Sequence, residues 1–296
     1  MIIRELPRLP SGKNVSLPSP ENKIICTITK DKYQYPNHTT PYLLIANFLD
    51  TGDYLLNSRD ISVNQKLFYF LNAGDNLEIN FKNRAALETV FIMFSDEFIK
   101  GWFGYRHSDI ASLLENGKAT AVGNWGIPNI PFEYNTDIIH QLSKIRAYDQ
   151  GEDMDEILFE LLDSFWVLKE GADRSLGLID VKKKSTKEEI YKRLLAAKIF
   201  MHEHYTVSPT IDAIASEACL DKFHFLKLFK GLYGITPHQY LVKLKLEHAY
   251  RLLATGRFTV IQVCDSVGFE SLGSFSNLFR KYYHLSPSAL SKRHVI

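Results

Sequence analysis

The last third of the chain is written twice. Ile214-Ala215 recurs as Val263-Cys264, Cys219-Leu220 as Gly268-Phe269, Phe225-x-x-Leu228-Phe229-Lys230 as Phe275-x-x-Leu278-Phe279-Arg280, and Ile235-Thr236-Pro237 as Leu285-Ser286-Pro287. The offset is 49 residues at the start and 50 at the end, so the second copy carries one extra residue in its turn. A shared offset with one small slip marks a duplicated structural unit, which a lone motif could not supply.

Each copy reads as a helix, a tight turn and a second helix. Thr210 and Thr259 stand where an N-cap belongs, followed by Ile211/Ile214 and Val260/Val263 at helical spacing, and Gln262 is placed to close a capping box on Thr259. Ala215 and Cys219, matched by Cys264 and Gly268, present small side chains one turn apart and so allow a close helix crossing. Phe225, Leu228 and Phe229, with Phe275, Leu278 and Phe279, recur at i, i+3, i+4 and bury the second helix of each pair. Its opposite face is left for a partner, the arrangement of a helix-turn-helix DNA reader.

Thr236-Pro237-His238-Gln239 combines a cap, a proline at the first helical position and a glutamine at the third, so a new helix starts between the copies. Tyr240, Leu241, Leu244, Leu246, Ala249, Leu252 and Leu253 continue an apolar face until Gly256. A helix from Pro237 to Thr255 spans roughly 28 Å at about 1.5 Å per residue, close to the roughly 34 Å turn of duplex DNA. Such a strut holds two reading heads over successive major grooves. The expected units are 210–232 and 259–283, joined by a linker helix over 237–255.

Residues 186–293 resemble the DNA-binding domain of the AraC family of transcription regulators. The resemblance rests on the opening Leu194-x-x-Ala197-x-x-x-x-Met201, the first unit ending Phe229-Lys230, the linker Thr236-Pro237-His238-Gln239-Tyr240-Leu241 with Ala249-x-x-Leu252-Leu253, and the second unit's Val267-Gly268-Phe269, Phe279-Arg280 and Ser286-Pro287. It implies two helix-turn-helix subdomains bridged by a long helix and inserted into adjacent major grooves. Three positions depart from the family pattern: Lys245 and Asn277 replace a usual arginine, and His284 a usual glycine.

The family's base-contacting positions fall on Lys222, Phe223, Leu226 and Lys227 of the first recognition helix and on Leu272, Gly273, Ser274 and Asn277 of the second. His224, Lys230, Ser271, Arg280 and Lys281 complete the expected DNA surface. The second set is poor in long donors, so the first unit is expected to bind more strongly and the second to specify less. Asn277 suits adenine, and Ser274 is adaptable. Packing is the competing reading for Phe223 and Leu272, and plain phosphate contact for Lys222 and Lys227.

Charge divides with the pattern. From Lys182 onward 18 Lys and Arg face 9 Asp and Glu, a net of +9, whereas residues 1–181 carry 17 against 25, a net of −8. A basic third coinciding with a duplicated reader is the electrostatic footprint of a polyanion partner, and binding should weaken steeply with salt.

The fold class expected is α+β in two domains: a β-rich unit over 1–180, compatible with a barrel or sandwich and helical over about 137–170, then the all-α unit over 185–296. Short β-branched and aromatic runs at Ile24–Thr29, Tyr42–Leu49, Lys66–Leu71, Asn76–Phe81 and Thr89–Phe94 are separated by turns at Gly52, Asn72–Asp75 and Lys82–Arg84. In the family an N-terminal piece of this kind is a cupin-like effector domain, and domain order alone implies the same here. Phe48, Phe68, Phe70, Trp102, Tyr105 and Trp125 are candidates to line an apolar pocket for a small-molecule effector, with membership of the core as the alternative for each. Two amphipathic stripes, Ile138-Ile139-x-x-Leu142-x-x-Ile145 and Ile157-Leu158-x-x-Leu161-Leu162-x-x-Phe165-Trp166, separated by Gln150–Asp153, either pack on the sheet or form a homodimer contact. Gly171–Lys184 reads as a linker, with Ser185 and Glu188 capping the next helix.

Other chemistries lack their residues. The β-rich region offers only His38 before His107 and His140, with no His-x-His pair there, and no phosphate-cradling glycine loop or nucleophile motif occurs, so neither a catalytic site, a metal nor a cofactor is expected. The three cysteines, Cys26, Cys219 and Cys264, are expected as buried free thiols. With neither a signal peptide nor a long apolar span, the chain is expected in the cytoplasm, with double-stranded DNA as partner and RNA polymerase as a second if it is an activator.

Overall fold

The structure is a computed structural model that describes residues 2–7, 21–82, 86–107, 125–148 and 153–292. The expected turn residues Asn83-Arg84 and Gln150–Glu152 lie outside them. The chain divides into two compact units, Met1–Asp173 and Arg174–Ile296.

The first unit is built on two facing sheets. The larger runs in the order β1 (Ile2–Ile3), β2 (Lys23–Thr29), β9 (Leu87–Phe94), β4 (Tyr42–Asn47), β7 (Leu67–Leu71) and β10 (Phe132–Glu133). The smaller runs β3 (Tyr33–Thr39), β8 (Asn76–Phe81), β5 (Gly52–Leu56) and β6 (Arg59–Val63). Alternation along the strands sorts the side chains. Leu43, Ile45, Tyr69, Leu71, Phe91 and Met93 of the larger sheet meet Tyr54, Leu56, Ile61, Val63, Leu77 and Phe81 of the smaller one in a single core. Leu44, Phe68, Phe70, Ile92 and Phe94 point the other way and are buried too. The central strands therefore read as continuous apolar runs, because both faces of that sheet are covered.

The covering layer is helical: α1 (Asp96–His107), α2 (Thr136–Arg146) and α3 (Met154–Gly177). Phe165 of α3 stacks on Phe70 with ring centroids 4.3 Å apart and meets Phe68, Phe132 and Trp125 at 5.0–6.3 Å. The Arg146 guanidinium at the end of α2 binds both carboxylate oxygens of Glu88 on β9, at 2.7 and 2.6 Å, and lies 4.2 Å from the centre of the Phe48 ring. The planar fork matches a carboxylate bidentately and an aromatic face by its charge.

The second unit is all helix: α4 (Lys184–His204), a 3-10 turn (Tyr205–Val207), α5 (Ile211–Glu217), α6 (Lys222–Tyr233), α7 (Pro237–Ala254), α8 (Val260–Ser266), α9 (Leu272–Tyr283) and α10 (Pro287–Lys292). Two expectations at its entrance are corrected. The expected Gly171–Lys184 linker is shortened to 178–183, since α3 continues to Gly177 with Gly171 inside it. The Ser185/Glu188 cap is absent as well: α4 starts two residues earlier than that cap requires, at Lys184, and its N-cap Lys183 makes no side-chain capping bond.

Candidate nucleic-acid interface

The two copies close in the same way at atomic detail. Thr210 Oγ1 accepts the Ala213 N–H and Thr259 Oγ1 the Gln262 N–H, each at 3.2 Å, and a full capping box forms at Thr259. At the turns the backbone enters the left-handed region, φ 50° at Cys219 and 75° at Gly268. The next N–H in each copy reaches back five residues, from Leu220 to the Ala215 carbonyl and from Phe269 to that of Cys264. This is the C-terminal closure that satisfies otherwise orphaned helix carbonyls. The second helices are capped by Asp221 and Ser271. Because those caps lie 50 residues apart and the turns 49, the extra residue of the second copy is Glu270.

Small size at Cys219 has a different meaning from the one the sequence suggests. Its thiol is exposed, so the expectation of three buried cysteines is corrected: Cys26 and Cys264 are buried and Cys219 sits on the turn. Burial pushes the Cys26 thiol up to about 11 and that of Cys264 upward as well, which keeps both protonated and inert. At Gly268 the requirement is absolute, since a Cβ there would run into the Thr206 carbonyl oxygen.

Each second helix has two opposed stripes. Phe225, Phe229 and Leu232 are buried on α6, as are Phe275 and Phe279 on α9. Leu278, expected with them, stands 36% exposed at the edge of the stripe. On the other side of α6, Lys222, Phe223, His224, Lys227 and Lys230 are exposed and Leu226 is half-buried. On α9 the exposed set is Leu272, Gly273, Ser274, Asn277, Arg280 and Lys281, with the cap Ser271. The packing alternative for Phe223 fails, for it is 82% exposed; Leu272 is 42% exposed. Lys222 is already engaged, its Nζ 2.8 Å from Asp212 Oδ2.

The strut between the heads begins with a complete capping box, Thr236 with Gln239, on Pro237. It carries a residue whose role the sequence does not disclose. Lys245 is buried within α7, and its ammonium donates to Ser208 Oγ at 2.6 Å and to the Gly268 carbonyl, 5.3 Å from the Phe269 ring centre. Burial lowers its pKa, and Glu270 partly offsets this. One side chain thus ties the turn of the second head to the segment entering the first. Two further bonds join α4 and the 3-10 turn to α7: His202 Nε2 with the Tyr240 hydroxyl at 2.8 Å, and the Tyr205 hydroxyl with His248 Nδ1 at 2.6 Å.

A family profile described as a helix-turn-helix domain matches residues 214–293, a range that holds both second helices and the strut. A probable transcriptional regulator, LumQ of Photobacterium leiognathi, is 34% identical over 151 residues, 50% of this chain and 58% of that protein. The C-terminal domain is of the AraC type. The MmsAB operon regulatory protein of Pseudomonas aeruginosa is 37% identical over 94 residues, which make up 32% of this chain and 31% of that one. The DNA-binding domain of AdpA, solved with a target DNA, is 27% identical, with a TM-score of 0.33 covering 34% of this chain and 91% of that one. The chain thus spans between about a third and three-fifths of the curated relatives it matches here. These relatives are named as regulators and not as enzymes.

Four of the six effector candidates of the first unit are brought together, but as packed core and not around a pocket. Phe68, Phe70 and Trp102 are sealed in the aromatic layer beneath α3, with exposures of at most 1%. Trp125 joins that layer, Phe48 lies under Arg146, and Tyr105 is exposed beside Phe159. A cavity of about 40 Å³ opens instead on the opposite face of the larger sheet, among Tyr35, His38, Leu43, Leu77, Phe91 and Met93. Desolvation there holds the His38 imidazole below its ordinary range. Among the described residues no group of three or more His, Cys, Asp or Glu side chains could hold a metal ion, and no helix is long and apolar enough to cross a membrane.

Proposed function

We propose that the chain is a sequence-specific, DNA-binding transcription regulator. The observation that carries this reading is the pair of recognition helices, each buried by an aromatic stripe and each turning a solvent-exposed stripe outward, on the unit that holds the excess of positive charge. In duplex DNA the exposed stripes fit the major groove, and the lysines and arginine at their C-terminal ends fit the phosphates. Selection of bound duplexes from a random pool with the full chain tests it. Enrichment of a site with two unlike half-sites about one turn apart is expected, and a pool that stays random overturns the reading.

We assign the first unit to sensing a small molecule. An apolar, enclosed sandwich interior supports this, and an effector that prefers one arrangement of the unit shifts DNA affinity by as much as its own affinities for the two arrangements differ. A second reading is favoured by the size of the cavity. Small-molecule sites occupy about 300 Å³ or more, several times the 40 Å³ of the cavity between the sheets, and on this reading the unit serves to oligomerise or to contact a partner protein. Exposed Ile139 on α2 and Val167 on α3 support a homodimer contact. Thermal-shift screening of the full chain against metabolites separates the two, because a ligand that binds only the native form raises its melting point.

A further inference from the structure

Phe223 is an anomaly that phosphate binding does not explain. It is the second residue of α6, and it leaves a large apolar ring 82% exposed on a helix face otherwise made of cations and His224. A solvated aromatic gains nothing for the fold. Helical spacing places Phe223, Leu226, Lys227 and Lys230 in one stripe at i, i+3, i+4 and i+7. The stripe therefore runs from an apolar tip through a half-buried leucine to two exposed ammonium groups. Among the groups that the major groove displays, the thymine C5-methyl is the apolar one, and it is matched by an apolar side chain.

We propose that Phe223 is a specificity-determining residue that reads a thymine methyl in the half-site bound by the first head. The flanking lysines supply the charge complementarity that commits the ring to duplex DNA and not to an apolar protein partner. The second head lacks the device, since Gly273 stands at the position equivalent to Phe223, 50 residues on. Aromatic reading of a methyl is therefore confined to the first head, the exposed apolar residue of the second being the aliphatic Leu272 one position earlier, which makes the two half-sites unlike and gives the bound protein a fixed polarity. The inference rests on the DNA-binding reading above.

Deoxyuridine differs from thymidine by that methyl alone, so it provides the test. In the duplex selected by the full chain, each thymine is replaced in turn by deoxyuridine, and affinity is measured by fluorescence anisotropy with wild-type protein and with Phe223→Ala. Removing one buried methyl is worth roughly a fourfold loss of affinity. The expected result is one position in one half-site where wild type loses about fourfold and the variant loses nothing, while Phe223→Leu keeps part of the discrimination. Because the ring is exposed, an unchanged melting temperature for Phe223→Ala is expected, and circular dichroism checks it. Indifference of the wild type at every thymine, discrimination that persists in Phe223→Ala, or a selected first half-site without thymine would overturn the proposal and leave DNA binding intact. Absence of any salt-sensitive duplex binding would instead overturn the reading on which it rests.

Discussion

Replacing Lys245 by methionine keeps the apolar stem and removes the ammonium. Two bonds disappear, to Ser208 Oγ and to the Gly268 carbonyl, and the carbonyl is left in a partly closed turn. Hydrogen bonds from a charged donor contribute about 1.5–3 kcal/mol each, and relief of the desolvation of a buried ammonium subtracts from their sum, so the net loss is set at about 2 kcal/mol. The three tryptophans, Trp102, Trp125 and Trp166, all belong to the first unit, so tryptophan fluorescence reports that unit while far-ultraviolet circular dichroism weighs the helical second unit. In urea, with a slope of about 2 kcal/mol per molar, the dichroism midpoint should fall by roughly 1 M and the fluorescence midpoint should stay in place. Lys245→Arg, which restores the residue usual in the resembled family, should lie within about 1 kcal/mol of wild type. Combined with Ser208→Ala, Lys245→Met should show a coupling of about 1 kcal/mol. A methionine variant as stable as wild type, or strict additivity in the cycle, would refute the role given to this side chain.

Other substitutions test the turns, the pH response and the reading face. His284 closes α9 at φ 55°, where the first copy has Gly234 at φ 75°, so His284→Gly should stabilise the second unit by about 1 kcal/mol, read as a higher urea midpoint. Gly268→Ala, by contrast, should cost more than about 2 kcal/mol, since left-handed strain adds to the clash with the Thr206 carbonyl. Burial first, and then the positive Arg251, hold the His248 imidazole below 6.5, so the folded state binds fewer protons than the unfolded one. Stability should therefore fall as pH drops below 6.5 toward that lowered value, and His248→Gln should flatten this slope in a pH series of melting temperatures. Lys227→Ala should weaken DNA binding by about 1–3 kcal/mol if the ammonium reaches a base, with an altered site preference in selection; a uniform loss across sequences would assign Lys227 to phosphate.

Local chemistry was the most legible part of this sequence. The caps at Thr210, Thr236 and Thr259 depend on one side chain and a backbone N–H three residues on, so spacing alone exposes them. The buried phenylalanine stripes of the repeat are equally plain. Long-range satisfaction is where reading failed. Strand β3, Tyr-Gln-Tyr-Pro-Asn-His-Thr, looks like a loop because it carries a proline and few apolar residues, yet it survives as an edge strand whose register shifts between Tyr35 and His38, around Pro36. The aromatic residues of α1 resemble strand or pocket material, and only packing under Asp163, which accepts from Trp102 Nε1 at 3.1 Å, shows them as a helix face. Lys245 gave no sign of burial, because a lysine in a helix ordinarily lies in solvent and its two acceptors come from segments 37 and 23 residues away.

The central claim is that the second unit grips duplex DNA through two heads. A salt titration of the full chain on its selected duplex, by fluorescence anisotropy, measures this directly. Log affinity should fall linearly with log salt, at close to one unit of slope per phosphate neutralised, and Lys230→Ala and Arg280→Ala, one change in each head, should each lower the slope by about one. Affinity indifferent to salt, or a slope that responds to only one of the two heads, would contradict it.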